Sequence, residues 1–164
     1  MMMLHLPDAA AQLACGAALA PALAERAGAI FLHGDLGTGK TTLVRGLLRG
    51  LGFAGAVRSP TYTLIEPYTI GAWPLFHLDL YRLGAPEELH DLGWRELFDD
   101  KALVLIEWPE RGAGVLPEPQ LRIELTMASD GGRWLRAGGA PEWQALVANA
   151  LQPAAAVESF RNRN

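Results

Sequence analysis

The strongest constraint on this chain is a glycine-rich segment, GDLGTGKT, at residues 34–41. It fits the pattern G-x-x-x-x-G-K-[ST] in full, in which the glycines let successive backbone N–H groups point at a phosphate. Such a loop lies between a buried strand and a helix, because the helix N-terminus favours an anion. Here the apolar residues 29–33 precede the segment, and a leucine-rich run at 41–51, stopped by Gly52, follows it. We therefore predict a strand, a phosphate-binding loop and a helix in direct succession.

The rest of the chain favours one domain in which hairpins extend a parallel sheet. Asp8 is predicted to cap a helix that runs to about residue 20, where Pro21 kinks or restarts it. The other predicted elements are a hairpin of strands 61–70 and 74–82 that turns at Gly71, a short helix after Pro86 that continues through 94–98, an aliphatic central strand at 102–108, a hairpin of strands 121–127 and 133–137, and a closing helix over 141–151. The predicted fold class is α/β: a single P-loop NTPase-like domain over 1–152, with a mixed sheet (parallel core plus antiparallel hairpins) flanked by helices, and a flexible C-terminal tail over 153–164.

Composition and charge exclude several classes of protein. The 164 residues carry a formal net charge of −4, which argues against a general nucleic-acid coat, because such proteins bind through Lys and Arg. Cys15 is the only cysteine in the sequence, so an internal disulfide and a multi-cysteine zinc site are excluded, and we expect a buried, inert thiol. With no secretory signal and no membrane-spanning apolar run, we expect a cytoplasmic protein that does not contact membranes. Three histidines without metal-ligand spacing are expected to be hydrogen-bonded or exposed: His33, His77 and His90.

Charged and hydroxyl side chains predict magnesium-dependent nucleotide chemistry. Lys40 would place a positive charge on the β and γ oxygens of ATP, and the Thr41 hydroxyl would ligate Mg²⁺. A second carboxylate is needed at the metal, and Glu107 fits best because it ends an aliphatic strand at the carboxyl edge of the sheet. Asp79, on the polar face of its hairpin strand, would position the attacking water. The alternatives are that Asp79 only pairs with Arg82 or caps a turn, and that Glu107 is a plain surface carboxylate.

Most of the predicted nucleotide contacts come from the loop itself. The cofactor-binding candidates in and next to it are Gly34, Asp35, Leu36, Gly37, Thr38, Gly39, Lys40, Thr41 and Thr42. The segment 59–61, Ser-Pro-Thr, is a candidate switch in which Thr61 reaches the γ-phosphate or Mg²⁺, although Ser-Pro is also a common start of a turn. Thr61 therefore joins Lys40, Asp79 and Glu107 as a catalytic candidate.

Several motifs together resemble the TsaE family, also called YjeE. In chain order they are GDLGTGKTTLVRG, SPTYTLIEPY, FHLDLYRL, PEEL and LIEWPERG, and they lie between Gly34 and Pro117. The resemblance implies a P-loop α/β fold and a role in bacterial tRNA threonylcarbamoyladenosine biosynthesis. It implies an ATPase that works with the TsaD and TsaB proteins, which transfer the threonylcarbamoyl group to the adenosine beside the anticodon. The cofactors implied are ATP or ADP and Mg²⁺.

The resemblance also implies roles for single residues. Lys40 and Thr41 would hold the phosphates and Mg²⁺, and Glu107 would be the Walker-B-like ligand. Asp79 would take part in hydrolysis, and Thr61 would belong to the switch segment.

Other implied contacts lie outside the loop. The family contacts the nucleotide through its N-terminal segment and a late arginine, for which the nearest counterparts are Asp8 or Ala9, and Arg133. Trp108 would lie beside the nucleotide. Thr38 stands where the family usually has Ala, and a small polar residue should be tolerated there.

Two other functions remain open at the level of sequence. A small-molecule kinase shares the P-loop and this size, although the usual arginine-rich lid has no counterpart here. A nucleotide-gated binding module, in which ATP orders the 59–64 segment and hydrolysis is incidental, is the other. Because the chain is acidic, any contact with tRNA is expected to be indirect.

Overall fold

Seven strands and three α-helices are found in residues 1–60, 62–98 and 101–161, the part of the chain that the computed structural model describes, with side chains as far as residue 152. Their bounds are β1 (Met2–Leu6), α1 (Ala9–Leu23), β2 (Gly28–His33), α2 (Lys40–Gly50), β3 (Ile65–Ile70), β4 (Trp73–Asp79), β5 (Leu103–Glu107), β6 (Leu121–Met127), β7 (Arg133–Gly139) and α3 (Pro141–Arg161). Short 3₁₀ helices lie at Pro86–Leu92, Trp94–Phe98 and Pro109–Gly112.

The seven strands form one mixed sheet in the order β1-β7-β6-β2-β5-β4-β3. The four neighbours β6, β2, β5 and β4 run parallel, while β3, β7 and β1 pair antiparallel. The predicted α/β class, with a parallel core extended by hairpins, is therefore confirmed. Because β2 lies in the middle of the parallel group, the loop that follows it opens at the centre of the carboxyl edge.

Two hydrophobic layers explain why the central strands are continuously apolar. Along β5, Leu103 and Leu105 belong to the cluster that also includes residues of the three α-helices. Val104 and Ile106 belong to a second cluster, which includes Leu89 from a 3₁₀ helix. Alternate side chains of a strand point to opposite faces, so a strand covered on both faces needs apolar residues at every position. The predicted central strand is confirmed for this reason.

Helices α1 and α2 approach so closely that their backbones touch. A Cβ atom added to Gly16 would lie 2.2 Å from the carbonyl oxygen of Leu43, and one added to Gly46 would lie 2.2 Å from that of Leu13. Two glycines in opposite helices therefore remove the side chains that would otherwise separate them. The contact holds α2, whose first residues are the predicted site residues Lys40 and Thr41, against the N-terminal helix.

The first strand has no counterpart among the predicted elements. β1 pairs with β7 near the other end of the chain, with Leu4 opposite Leu135. Leu4 and Leu6 are its buried residues, but the strand reads MMLHL, which is apolar at all positions but one and so shows no clear apolar/polar alternation. The strand depends on a distant partner, which no local pattern specifies.

Pro21 does not restart the first helix, because α1 continues through it to Leu23; a kink at Pro21 stays a prediction. Proline lacks the N–H that would donate to the carbonyl of Ala17, yet Ala24 again donates to Ala20, at 2.9 Å. A proline in the last turn removes one backbone hydrogen bond without ending the helix, and Pro21 itself is exposed to solvent.

The segment after Pro86 is helical as predicted, but it forms two 3₁₀ helices rather than one continuous helix. Gly93 separates them with a left-handed backbone, φ 63°, which ends the first helix. Leu89 and Trp94 still bury their side chains against the sheet, so packing, rather than helix propensity, shapes this segment.

The first hairpin is shorter than predicted. β3 begins at Ile65, and Thr61 lies outside the described residues. β4 ends at Asp79 because the Asp79 carboxylate accepts a hydrogen bond from the backbone N–H of Tyr81, at 3.0 Å. That contact turns the chain away from the sheet three residues before the predicted end.

The closing helix α3 packs through the predicted side chains Trp143, Val147 and Leu151, which are buried, while Leu146 is half-buried. Its bounds reach Arg161, beyond the predicted end near residue 151. The flexibility of residues 153–164 stays a prediction. In the part of the chain with described coordinates, no helix combines the length and hydropathy needed to cross a membrane.

Replacing Gly46 by Ala should destabilise the fold, because the new methyl group would collide with a backbone oxygen that cannot rotate away. We expect the free energy of unfolding to fall by about 1–3 kcal/mol, measured by urea unfolding. Gly138→Ala is the control, since a Cβ atom there meets nothing within 4 Å. Equal stability of the two variants would contradict the close helix contact.

Burial raises the pKa of Cys15 to about 12. At pH 8 only about one thiol in ten thousand is then a thiolate, the form that reacts. We expect iodoacetamide to leave the folded protein unmodified at pH 8 and to alkylate it in guanidinium chloride, as followed by mass spectrometry. Comparable alkylation rates in both conditions would show that Cys15 is accessible.

Candidate functional site

The glycine-rich loop leaves the carboxyl end of β2 and leads directly into α2. All three of its glycines adopt backbone angles that other residues reach only with strain: φ is 141° at Gly34, 81° at Gly37 and 94° at Gly39, the N-cap of α2. At Gly39 space is also missing, since a Cβ atom would lie 2.4 Å from the Gln12 side chain. The structure thus has the strand, loop and helix that the phosphate-binding pattern requires.

Lys40 is a buried cation at the base of this loop, with 4% of its surface exposed. Its ammonium group donates to the carbonyl oxygens of Gly34 and Asp35 within the same loop. Burial lowers the pKa of Lys40, and the negative charges of Glu107 and Asp79 oppose that shift. An anion bound in the loop would meet a positive charge that is already desolvated and oriented.

Glu107 joins the loop helix to the neighbouring strands. The Thr41 hydroxyl donates to Glu107 Oε1 at 2.7 Å, and His77 Nε2 lies 2.9 Å from the same oxygen. Glu107 is 3% exposed, so the alternative of a plain surface carboxylate is wrong. Asp79 is aligned with Glu107 in the parallel register of β4 and β5, which brings two acidic residues to the same edge.

Asp79 is buried and has more than one partner. Besides accepting from Tyr81, its carboxylate accepts from the Ser59 hydroxyl at 3.2 Å. The alternative that Asp79 caps a turn is therefore correct as a description, and it does not remove Asp79 from the site, since the carboxylate still lines the cleft. Arg82, the other proposed partner, places its guanidinium 4.5 Å from the centroid of the Tyr62 ring.

These groups share one cleft of about 320 Å³. Its lining residues are Leu36, Gly37, Gly39, Lys40, Thr41, Thr42, Ser59, Asp79, Tyr81, Glu107 and Trp108. The lining comes from four parts of the chain that are far apart in sequence: residues 36–42, 59, 79–81 and 107–108. They meet at the carboxyl end of the central strand β2.

Comparison with models of protein families shows which family this chain belongs to. Residues 6–135 match the model of the family described as threonylcarbamoyl adenosine biosynthesis protein TsaE. The chain belongs to the TsaE family. The matched region runs from the end of β1 into β7 and contains every residue of the cleft.

Individual relatives agree with this assignment. The tRNA threonylcarbamoyladenosine biosynthesis protein TsaE of Haemophilus influenzae is 45% identical over 130 residues, which covers 77% of this chain and 82% of the relative. The protein of the same name from Bacillus subtilis is 40% identical over 114 residues, or 70% and 71% of the two chains. The crystal structure of Bacillus subtilis YdiB superposes with a TM-score of 0.77 at 28% identity, over 93% of this chain and 95% of that one. The TsaE resemblance read from the motifs is thus confirmed.

Two of the residues predicted from the family lie away from the cleft lining. Asp8 caps α1 by accepting from the backbone N–H of Ala11 at 2.7 Å. Arg133, on β7, donates to the carbonyl oxygens of Gly37 at 3.1 Å and Thr38 at 3.2 Å. Asp8 therefore has a local structural partner, and Arg133 supports the loop from its outer side. Nucleotide contacts by either residue stay predictions.

Gln12 is a residue of this TsaE site that the motifs do not reveal. It is 3% exposed, and its amide donates to the Thr38 carbonyl at 2.7 Å, the same oxygen that Arg133 approaches. The available signal was a polar residue on the buried face of an otherwise alanine-rich and leucine-rich helix. Thr38 itself is buried, and its hydroxyl donates to the Asp35 carbonyl at 2.9 Å, so the loop accommodates the polar side chain.

Aromatic rings form one wall of the cleft. Trp108 directly follows β5 with a left-handed backbone, φ 57°, and its ring centroid lies 4.0 Å from the Lys40 ammonium. The Tyr81 ring packs beside it, with centroids 5.0 Å apart. Trp108 therefore lies next to the glycine-rich loop, and a cation held against an indole face gains electrostatic stabilisation.

Proposed function

We propose that this TsaE family member is a magnesium-dependent ATPase subunit required for threonylcarbamoyladenosine modification of tRNA, at the adenosine next to the anticodon. The observation that carries the proposal is a complete phosphate-binding loop whose Lys40 and Thr41 share one cleft with the buried carboxylates Glu107 and Asp79. The family description and the names of the relatives support the tRNA pathway.

Binding of ATP or ADP would begin at the loop. Backbone N–H groups at the start of α2 and the ammonium of Lys40 are the donors for the phosphate oxygens. Because Lys40 is already buried against loop carbonyls, little reorganisation is needed before it meets a phosphate. A preformed donor set of this kind lowers the cost of ordering on binding.

The donors around Thr41 fit a magnesium ion. Mg²⁺ prefers oxygen ligands and is usually held by one or two protein groups together with phosphate oxygens and water. The Thr41 hydroxyl and the Glu107 carboxylate, which lie 2.7 Å apart, are such oxygens. When bound, Mg²⁺ supplies charge neutralisation of the phosphates.

Hydrolysis needs a group that orients water, and Asp79 is the candidate. Its carboxylate lines the cleft beside Glu107 and is held by Ser59 and by the turn at Tyr81. A held carboxylate can accept a hydrogen bond from a water molecule and fix its direction of attack. Thr61 stays a predicted switch residue outside the described part of the chain.

TsaD and TsaB are the proposed partners, and the proposed location is the cytoplasm. In this scheme the ATPase drives or resets the assembly, and TsaD and TsaB carry out the transfer. The net charge of −4 supports an indirect relation to tRNA.

Nucleotide binding should depend on Lys40. Lys40→Ala should weaken Mg·ATP binding at least about 30-fold in calorimetry, because a buried charge that pairs with the phosphates is lost. Lys101→Ala is the matched control, since Lys101 is exposed and lies outside the cleft. A wild-type chain that gives no heat with Mg·ATP or Mg·ADP would refute the proposal.

The two acidic residues should separate binding from hydrolysis. Asp79→Asn and Glu107→Gln should retain ATP binding, lose about 100-fold or more in hydrolysis rate, and stop tRNA modification in a reaction reconstituted with TsaD and TsaB. Glu118→Gln is the control, because Glu118 is an exposed carboxylate paired with Arg122 and lies outside the cleft lining. Full modification by both site variants would favour the nucleotide-gated module, and strong acceleration of ATP consumption by an added nucleoside or sugar would favour a kinase.

A further inference from the structure

His77 is a fully buried histidine that contacts the site without lining its cleft. It has no exposed surface and lies on β4, two residues before Asp79 and on the same face of the sheet. Its Nε2 atom is 2.9 Å from Glu107 Oε1. From sequence, His77 is expected to be hydrogen-bonded or exposed. The contact with Glu107 shows that it is buried and hydrogen-bonded.

The surroundings of the ring indicate which nitrogen carries the proton. Within the described residues, the buried Nδ1 atom of His77 has no hydrogen-bond partner. A buried N–H without an acceptor is costlier than a bare ring nitrogen, which can remain an unused acceptor. The proton therefore belongs on Nε2, from which it is donated to Glu107.

Two donors then converge on one oxygen of Glu107. His77 approaches Oε1 from β4, and the Thr41 hydroxyl approaches it from α2. A carboxylate held at one oxygen from two elements cannot rotate freely about its last bond, so the other oxygen, Oε2, takes a fixed direction.

We propose that His77 is a positioning residue for the ATPase reaction, which donates from Nε2 to Glu107 and so orients that carboxylate toward the bound phosphates. This inference rests on the proposed function. The competing interpretation is a buried pair that stabilises the sheet and has no effect on the reaction.

Kinetics of three variants separate these interpretations. His77→Leu should lower kcat for ATP hydrolysis about 10- to 100-fold, the usual effect of losing a partner behind a metal-site ligand, while KM for ATP stays close to the wild-type value. His77→Gln should recover most of kcat, because its amide can donate from nearly the position of Nε2. His90→Gln, at an exposed histidine on a 3₁₀ helix, is the control and should match the wild type.

A nitrogen NMR measurement tests the hydrogen bond without any nucleotide. In protein labelled with ¹⁵N-histidine, the ring signals of His77 should show a protonated Nε2 and an unprotonated Nδ1, with assignment from His77→Gln. In Glu107→Leu the Nε2–H signal should shift, because its acceptor is gone. Thermal unfolding of each variant shows whether lost kcat merely follows lost stability.

The outcomes are distinct. A proton on Nδ1, an unchanged kcat in His77→Leu, or a His77→Gln variant no more active than His77→Leu would each overturn the role of His77. A wild-type chain that binds no ATP or hydrolyses none would instead refute the proposed function, whatever the ring signals show.

Discussion

Burying one ammonium group at the end of the central strand is the constraint on which the rest of this structure depends. Removing a cation from water costs several kcal/mol unless it is paired. Lys40 is paired with carbonyls of its own loop, and Glu107 and Asp79 supply the opposite charge from β5 and β4. Those carboxylates reach the loop because β2, β5 and β4 are parallel neighbours whose carboxyl ends share one edge. The strand order is therefore what places both carboxylates near the buried ammonium group.

The glycine-rich loop also depends on segments near both ends of the chain. Gln12 from α1 and Arg133 from β7 donate to the same carbonyl oxygen, that of Thr38. β1 and β7 are themselves paired at the edge of the sheet. Backbone hydrogen bonds of the sheet therefore also connect the N-terminal segment to the last hairpin. A short motif binds phosphate in many proteins, and here the flanking elements hold its backbone in one shape.

The sequence predicted features that local patterns determine. The strand at 29–33, the aliphatic strand ending at Glu107 and both hairpins follow from alternation, apolar runs and turn residues, and the loop follows from its motif. What it missed depends on distant partners: β1 forms through β7, and Gln12 acquires its role only when α1 packs over the loop. His77 could be placed on the polar face of its strand, but its contact with Glu107 required the order of β4 and β5.

The glycine contact between α1 and α2 has a consequence for motion. Helices whose backbones touch at Gly16 and Gly46 have little room to slide past each other, since each step would drive backbone atoms of one helix into the other. We therefore expect α1 and α2 to move as one body, which would carry Gln12 and the N-terminal turn of α2 together. We therefore expect the spacing between Gln12 and the glycine-rich loop to be kept when the sheet moves, because both neighbours of that loop belong to one tightly packed helix pair.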